Sequence, residues 1–598
     1  MKKSIIILLI AAVLVFINAC PNPEETPWIS DSYNVKYRVF PNAPSGEILT
    51  YPWGSGTNNY FDNNATVAYW NNQGHNHKYP DLFHFANGSR VNNVADWELR
   101  RKEIFNILQY YMHGRMPPID PSVLEIEWTD NDNTCVIDLK HIQSGRNHSF
   151  SVTHTPPAGA SANAKDKILF LGIEDNLTSS DASWGRANLP FKPSFFGGGT
   201  NWGFNEGGRS SFVTTLYGLS TSASALDTPS INMQYSWVVS VILTVIEEGG
   251  FNGYYDPEKV GIYGFSRNGK AATCIGAFAE SRGGNQIGFT FIGSAGAGGL
   301  AIERWINQLG YKEHKEDPLP ANKEGAMNHA DFKGITWYLQ EIENNNGNDG
   351  PGSSTGGRIA YQIVRGWTAS TPGIPAGSRI YNEYTKGFTR NPGAPENSWS
   401  KIQTMSQARR ETQGWFSSRF GQFSDLHDGL RTDRDSSPGL ICTMPFDAYF
   451  ITALIAPRIV FYEEGYNTMR NNPESQWVNW LICDEIYQMY AKELNDPSII
   501  WRNAIKFYDI GHQRITQHIQ DESALVNAIY SGTQPHEKFR TPPFPVDDPR
   551  YRWDFNRMDW GRPGHPTIAE RVKKMRDSSV PVKAMDWRGL LDRPEPLN

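Results

Sequence analysis

The segment from Val260 to Ala272, VGIYGFSRNGKAA, constrains the fold more than any other part of the chain. Its first residues form a short apolar run typical of a strand, and the apolar residues from Ala271 to Phe278 follow helical spacing. Ser266 stands on the sharp turn between them, where a strand's carboxyl end meets the free N–H groups of the next helix. Such donors bind the negative oxygen that forms when a serine attacks an acyl carbon. The pattern therefore predicts acyl transfer, with Ser266 as the nucleophile.

Two other interpretations of this turn remain open at this point. Residues Gly264–Lys270 also fit the first seven positions of a phosphate-binding P-loop, but the eighth, which should be Ser or Thr to hold magnesium, is Ala271. The serine could also lie in an ordinary strand-to-helix turn, since Gly269 stands one place later than the second glycine of the usual G-x-S-x-G pattern.

The start of the chain has the pattern of an export signal. A basic Met1–Lys3 precedes an apolar run from Ile5 to Ile17, which is too short to span a bilayer comfortably. The following Ala19-Cys20 resembles the end of a bacterial lipoprotein signal, which implies cleavage before Cys20 and lipid attachment to it. We expect an exported protein, either periplasmic or anchored at the outer membrane or cell surface through Cys20. Plain secretion is the alternative.

Charge, cysteine content and length limit the remaining possibilities. The formal net charge of −7 makes nucleic acid an unsuitable partner. The four cysteines after Cys20 lack metal-type spacing, and both free thiols and disulfides are compatible with an exported protein. The 598 residues exceed one simple domain. We expect a signal at 1–19, a tether and irregular segment at 20–90, a catalytic domain at 91–535 and a C-terminal extension at 536–598.

Strand and helix patterns alternate along the proposed catalytic domain. This alternation indicates an α/β fold with a mostly parallel sheet covered by helices on both faces. The predicted strands are Val123–Trp128, Cys135–Ile142, His148–His154, Lys167–Ile173, Val260–Tyr263, Phe289–Gly293, Arg458–Tyr462 and Ala504–Tyr508. The predicted helices include Trp97–Tyr111 and Trp237–Glu248.

Several blocks together resemble the glucuronoyl esterases, a carbohydrate esterase family with an α/β-hydrolase fold. The segment Gly264–Lys270 resembles the family's G-x-S-R-x-G-K block. The other blocks that resemble the family, in chain order, are Trp97–Ile104, Tyr111–Pro117, Ser294–Leu300, Pro445–Arg458 and Ile510–His512. The resemblance implies a three-layer sandwich, and it covers the chain from about Trp97 to Tyr530.

The resemblance also implies an activity and assigns residues to it. The family hydrolyses an ester between a glucuronic acid carboxyl and an alcohol, the linkage that joins glucuronoxylan to lignin. Ser266 would be the nucleophile, His512 the general base and later acid, Arg267 an oxyanion contact and Lys270 a contact to a sugar hydroxyl. His518 is an alternative base. This chemistry requires no metal or cofactor.

The third member of the triad departs from the family. The two places where the family carries an acid correspond to Ser294 and to a position near Thr468, neither of which is a carboxylate. Glu464, at the end of a predicted strand, is our candidate for the acid that orients His512. Glu463, a more distant Glu303, and a serine–histidine pair without an acid are the alternatives.

The sequence therefore predicts an exported serine esterase that acts on a uronate-bearing polysaccharide such as glucuronoxylan. A polysaccharide-binding relative with an impaired triad is one alternative. An esterase for acetyl or feruloyl groups on the same fold is another.

Overall fold

The computed structural model describes more than half of the predicted catalytic domain and little outside it. The described residues are 80–85, 89–173, 181–191, 204, 208–221, 228–302, 413–418, 420, 446–465, 471, 473–508, 510 and 512–540, with the backbone of 35–37 and 594–596. The predicted signal with Cys20 lies outside them, as do Glu303, Thr468 and Cys442.

The described strands form one large sheet and one short ribbon. The ribbon pairs β1 (Val35–Tyr37) antiparallel with β11 (Pro594–Pro596). The large sheet has nine strands in the order β10-β9-β8-β7-β5-β6-β4-β3-β2. Its strands are β2 (Leu124–Asn131), β3 (Thr134–His141), β4 (Asn147–Thr155), β5 (Lys167–Gly172), β6 (Gly185–Asn188), β7 (Tyr255–Phe265), β8 (Phe289–Gly293), β9 (Ile459–Gly465) and β10 (Asn503–Tyr508).

The sheet is mixed, with a clear division between its two halves. Strands β2, β3, β4 and β6 pair antiparallel, and β3 and β4 alternate buried and solvent-facing residues, as expected for an antiparallel sheet with one face open to water. From β6 through β5, β7, β8 and β9 to β10, every pairing is parallel. The predicted mostly parallel sheet is confirmed for this half, and it brings the carboxyl ends of these strands to one edge.

Helices cover the parallel half of the sheet. The described α-helices are α1 (Val94–Leu108), α2 (Phe212–Tyr217), α3 (Ile231–Glu248), α4 (Arg267–Phe278), α5 (Ala448–Ala453), α6 (Pro473–Glu493) and α7 (Thr516–Tyr530). α1 continues as a π-helical segment, Gln109–His113, and short 3-10 turns span Phe251–Gly253, Gln413–Trp415, Pro497–Arg502 and Glu537–Phe539. In the described ranges, no helix has the length and apolarity needed to cross a membrane.

Alternate residues of each parallel strand pack on opposite faces of the sheet. Leu169 and Leu171 belong to the larger apolar cluster, together with residues of α3, α4, α5 and α6. Phe170, between them, belongs to an aromatic-rich cluster on the other face, together with Leu525 and Val526 of α7. Because side chains alternate along a strand, the face on which a residue near a strand end lies is set by its position in this two-residue repeat.

The described cysteines do not form bridges. Cys135, Cys274 and Cys483 are buried free thiols. Burial raises the pKa of Cys274 and of Cys483 to about 12, so both thiols stay protonated at neutral pH. In this part of the chain, the alternative of free thiols is the one that the structure supports.

Candidate active site

Ser266 occupies a constrained turn between β7 and α4. Its backbone angles are φ 59° and ψ −119°, in a region that non-glycine residues rarely adopt. The Ser266 N–H donates a hydrogen bond to the carbonyl oxygen of Gly293 at 2.7 Å, which ties the turn to the end of β8. Strain of this kind, about 1–3 kcal/mol, persists only where the surrounding structure imposes it. The turn projects the Ser266 hydroxyl above the edge of the sheet.

Close backbone approach explains the two glycines of this turn. A Cβ atom on Gly264 would overlap the backbone carbonyl of Asn268, and one on Gly269 would lie 2.7 Å from the carbonyl oxygen of Gly293. Asn268 also holds the turn, since its Nδ2 donates to the carbonyl oxygen of Ile173 at 2.7 Å. The late position of Gly269 therefore follows from the way α4 packs against the end of β8.

His512 reaches Ser266 from the outermost strand of the parallel half of the sheet. The two residues are 246 positions apart, yet His512 Nε2 lies 2.8 Å from Ser266 Oγ. His512 follows β10, the outermost strand of the parallel half, and the loop after this strand carries the imidazole across the strand ends. The ring of Phe265 lies against the imidazole, with the ring centroids 4.8 Å apart. The contact between Ser266 and His512 that the esterase hypothesis requires is therefore present.

Asn471, which the sequence analysis missed, contacts the other nitrogen of His512. Its Nδ2 lies 3.2 Å from His512 Nδ1, and the side chain is buried. Asn471 stands just before α6, close to the place near Thr468 where the family's acid was expected. The only signal that points to it in the sequence is a short polar side chain two residues before Pro473.

Glu464 does not contact His512 directly, which corrects the predicted arrangement. Among the described residues its carboxylate accepts hydrogen bonds from Ser294 Oγ at 2.9 Å, from its neighbour Gly465 N–H at 2.9 Å, from Asn471 Nδ2 at 3.1 Å and from Gln476 Nε2. The side chain points toward α6, so Asn471 lies between it and the histidine. Burial raises the pKa of Glu464 to about 7, although the four donors act in the opposite direction.

Glu463, the alternative acid, lies on the opposite face of the sheet. Burial, and then the nearby Glu522 carboxylate, raise its pKa well above the usual value. Arg514 donates two hydrogen bonds to Glu522, at 2.7 and 2.6 Å, and its guanidinium lies 3.7 Å from the centroid of the Tyr263 ring. Glu463 is therefore part of a buried charged cluster beneath α7 rather than a partner of His512.

The remaining predicted residues lie at different depths around Ser266. Arg267, the first residue of α4, is partly exposed. Lys270 is buried; its ammonium donates to the carbonyl of Ala295 and lies 5.6 Å from the centroid of the Trp415 ring. The expected roles of Arg267 at the oxyanion and of Lys270 at a sugar hydroxyl stay predictions.

His518, the alternative base, belongs to the start of α7 instead of the serine turn. Its Nδ1 accepts a hydrogen bond from the Ile515 N–H at 3.1 Å, and its ring stacks on Tyr508 with the centroids 3.8 Å apart. Burial lowers the pKa of His518 to about 4, so the imidazole stays neutral at physiological pH. These contacts give His518 a structural position.

Comparison with protein families and curated proteins supports a relationship to the glucuronoyl esterases. A model described as glucuronyl esterase of fungi matches residues 139–340, which include the Ser266 turn. The 4-O-methyl-glucuronoyl methylesterase of Cerrena unicolor is 30% identical over 241 residues, 40% of this chain and 46% of that protein. The protein of the same name from Podospora anserina is 31% identical over 225 residues, 38% of this chain and 42% of the relative. The matches thus span less than half of either relative.

Comparison with solved structures identifies the fold. A carbohydrate esterase family 15 glucuronoyl esterase from Caldicellulosiruptor kristjansonii superimposes with a TM-score of 0.51 and 19% identity, over 79% of this chain and 95% of that structure. The predicted α/β-hydrolase fold, with its mostly parallel sheet and flanking helices, is confirmed.

Proposed function

We propose that this chain is a serine esterase that hydrolyses esters of glucuronic acid, such as those joining glucuronoxylan to lignin. The observation that carries the proposal is the 2.8 Å contact between Ser266 Oγ and His512 Nε2 at the carboxyl ends of the parallel strands. The relatives named 4-O-methyl-glucuronoyl methylesterase support the choice of acyl group. Carboxylic ester hydrolysis is also the reaction that a strained serine at the start of a helix suits best.

The proposed reaction has two halves. His512 takes the Ser266 proton as the hydroxyl oxygen attacks the glucuronate carbonyl carbon, and then gives that proton to the alcohol that leaves. Water, deprotonated by the same imidazole, next attacks the acyl-enzyme and releases free glucuronate and Ser266. Arg267 contributes its backbone N–H, at the start of α4, and its guanidinium to the negative oxygen in each half.

The proposed setting is outside the cytoplasm. A polymer such as glucuronoxylan is too large to enter a cell, and the apolar run before Cys20 supports export and lipid attachment. Metabolic labelling with a palmitate analogue tests the anchor: the full chain should be labelled and the Cys20→Ala variant should not. Labelling that is equal in both would remove Cys20 as the attachment site.

A second candidate function is polysaccharide binding without turnover. It is favoured by one observation: in the described part of the chain, the side chain within hydrogen-bond distance of His512 Nδ1 is the amide of Asn471. An orienting acid holds the histidine in the reactive tautomer, and replacing one with an amide in a serine protease lowers kcat by about 10⁴-fold.

One set of assays separates these functions. Benzyl glucuronate, methyl glucuronate and acetylated xylan are offered to the full chain, to Ser266→Ala and to Ser149→Ala, an exposed serine on β4 that serves as the control. We expect release from the glucuronate esters alone, lost in Ser266→Ala and kept in Ser149→Ala. Acetate release would indicate an acetyl esterase, and retention on xylan without turnover would indicate the binding protein. Turnover by folded Ser266→Ala would contradict the nucleophile assignment.

A further inference from the structure

The amide of Asn471 connects a buried carboxylate to the catalytic histidine. Its Nδ2 lies 3.1 Å from Glu464 Oε1 on one side and 3.2 Å from His512 Nδ1 on the other. An amide nitrogen carries two hydrogens and accepts none, so it donates one to each neighbour. His512 Nδ1 must therefore be the acceptor in this arrangement.

An accepting Nδ1 determines where the ring proton lies. In a neutral imidazole one nitrogen carries the proton and the other accepts. With Nδ1 as the acceptor, the proton is on Nε2, which faces Ser266 Oγ at 2.8 Å. In this tautomer the histidine donates to the serine and cannot take its proton.

Glu464 holds the Asn471 amide in this orientation. Above about pH 7, where the Glu464 carboxyl is ionised, an amide turned by 180° would place its Oδ1 beside Oε1, and two acceptors would face each other. Oε1 acts as an acceptor at this position, because the N–H of Gly465 and the hydroxyl of Ser294 both donate to it at 2.9 Å. The backbone of Asn471 is held as well, since its carbonyl accepts from Gln476 Nε2 at 2.9 Å.

We infer that Glu464 and Asn471 together fix the resting tautomer of His512, with the ring proton on Nε2. His512 becomes a base only when the Asn471 amide turns, so that Oδ1 accepts from a proton on Nδ1. The ring then releases its Nε2 proton to water and takes one at Nδ1 from water, which leaves its charge unchanged. Asn471 is thus a positioning residue, and Glu464 acts on the histidine only through it.

The inferred tautomer can be observed without any substrate. The full chain, labelled with ¹⁵N-histidine, is measured at a pH where the imidazole is neutral, and the His512 resonances are identified by their loss in His512→Gln. We expect Nε2 protonated and Nδ1 bare in the native chain. We expect the reverse in Asn471→Asp, because a carboxylate accepts from Nδ1–H. Asn147→Asp, at an exposed position on β4, should leave the native tautomer unchanged.

Kinetics supply a second readout, and this part rests on the proposed esterase function. Asn471→Asp should raise kcat on benzyl glucuronate by at least ~100-fold with little change in KM, since the wrong tautomer reduces kcat by about 10⁴-fold in a comparable triad. The two adjacent carboxylates could prevent the Asn471→Asp variant from folding. In that case the double variant Asn471→Asp/Glu464→Gln takes its place in the assay, because it has only one carboxylate at this position.

The outcomes separate this inference from the proposed function. A native chain with its proton on Nδ1, or an Asn471→Asp variant whose tautomer does not change, would overturn the inference whatever the activity. The expected tautomers in chains that release no alcohol from any glucuronate ester would support the inference and refute the esterase proposal.

Discussion

The buried carboxyl of Glu464 should make the stability of the folded chain depend on pH. Burial raises its pKa from the ordinary 4.5 to about 7. The folded state therefore holds this proton more tightly than the unfolded state does. The stabilisation is complete below about pH 4.5 and is lost as the pH rises through about 7. At 1.36 kcal/mol per pH unit, the loss amounts to about 3 kcal/mol.

Glu464→Gln isolates this contribution, because glutamine cannot ionise. We expect the free energy of unfolding of the variant, relative to the native chain, to increase by about 3 kcal/mol between pH 4.5 and pH 8. The Glu463 and Glu522 carboxyls, whose pKa values are also raised by burial, are present in both proteins and cancel in the difference. Urea unfolding followed by tryptophan fluorescence at several pH values measures the difference.

The control is Glu127→Gln, at an exposed position on β2. Its difference from the native chain should stay constant across the same pH range. If Glu464→Gln gave a curve parallel to that of the native chain, Glu464 would be ionised at neutral pH without penalty, and the reasoning from its burial would be refuted.

Three further substitutions test the contacts that hold the Ser266 turn and the buried charged cluster beneath α7. Gly264→Ala should destabilise the fold and abolish the proposed esterase activity, because its methyl group would overlap the Asn268 carbonyl; a fully active variant would contradict this. Asn268→Ala should reduce the free energy of unfolding by about 1–3 kcal/mol, since it leaves the Ile173 carbonyl without its donor, and unchanged urea unfolding would exclude that role. Arg514→Met should reduce it by about 3–5 kcal/mol at neutral pH, because it leaves the buried Glu522 without its cation; a loss that did not diminish in acid, where the carboxyl is protonated, would point to packing instead.

The parallel strands could be predicted from sequence to the extent that their residues are apolar. β8 has the predicted bounds, Phe289–Gly293, because all its residues are buried and only Thr290 carries a polar side chain. β9 was predicted to end at Tyr462, but it extends to Gly465 through two buried glutamates. Charged residues normally end a buried strand, but burial raises the pKa of both carboxyls, and Glu464 is also hydrogen-bonded to Ser294, Asn471 and Gln476, which lie outside the strand.

The pairing of Ser266 with His512 could also be anticipated, since both residues follow parallel strands and the carboxyl ends of such strands share one edge. Which of Glu463 and Glu464 lies on the same face as Asn471 could not be predicted from the sequence. The two-residue repeat of β9 guarantees that they lie on opposite faces. Which face holds α6 and which holds α7 depends on how the chain crosses the sheet, and local sequence does not contain that information.

The residue that contacts His512 Nδ1 is harder to predict from sequence than the strands are. In the loop between β9 and α6, Asn471 places its amide within hydrogen-bond distance of both Glu464 and His512. A shift of this loop by one residue would place a different side chain there, while the strands, the helices and the Ser266 turn stayed as they are. The scaffold of the site thus follows from hydrophobic patterning, whereas the identity of the side chain beside His512 Nδ1 depends on which residue between β9 and α6 comes within its reach, and local patterning does not determine that.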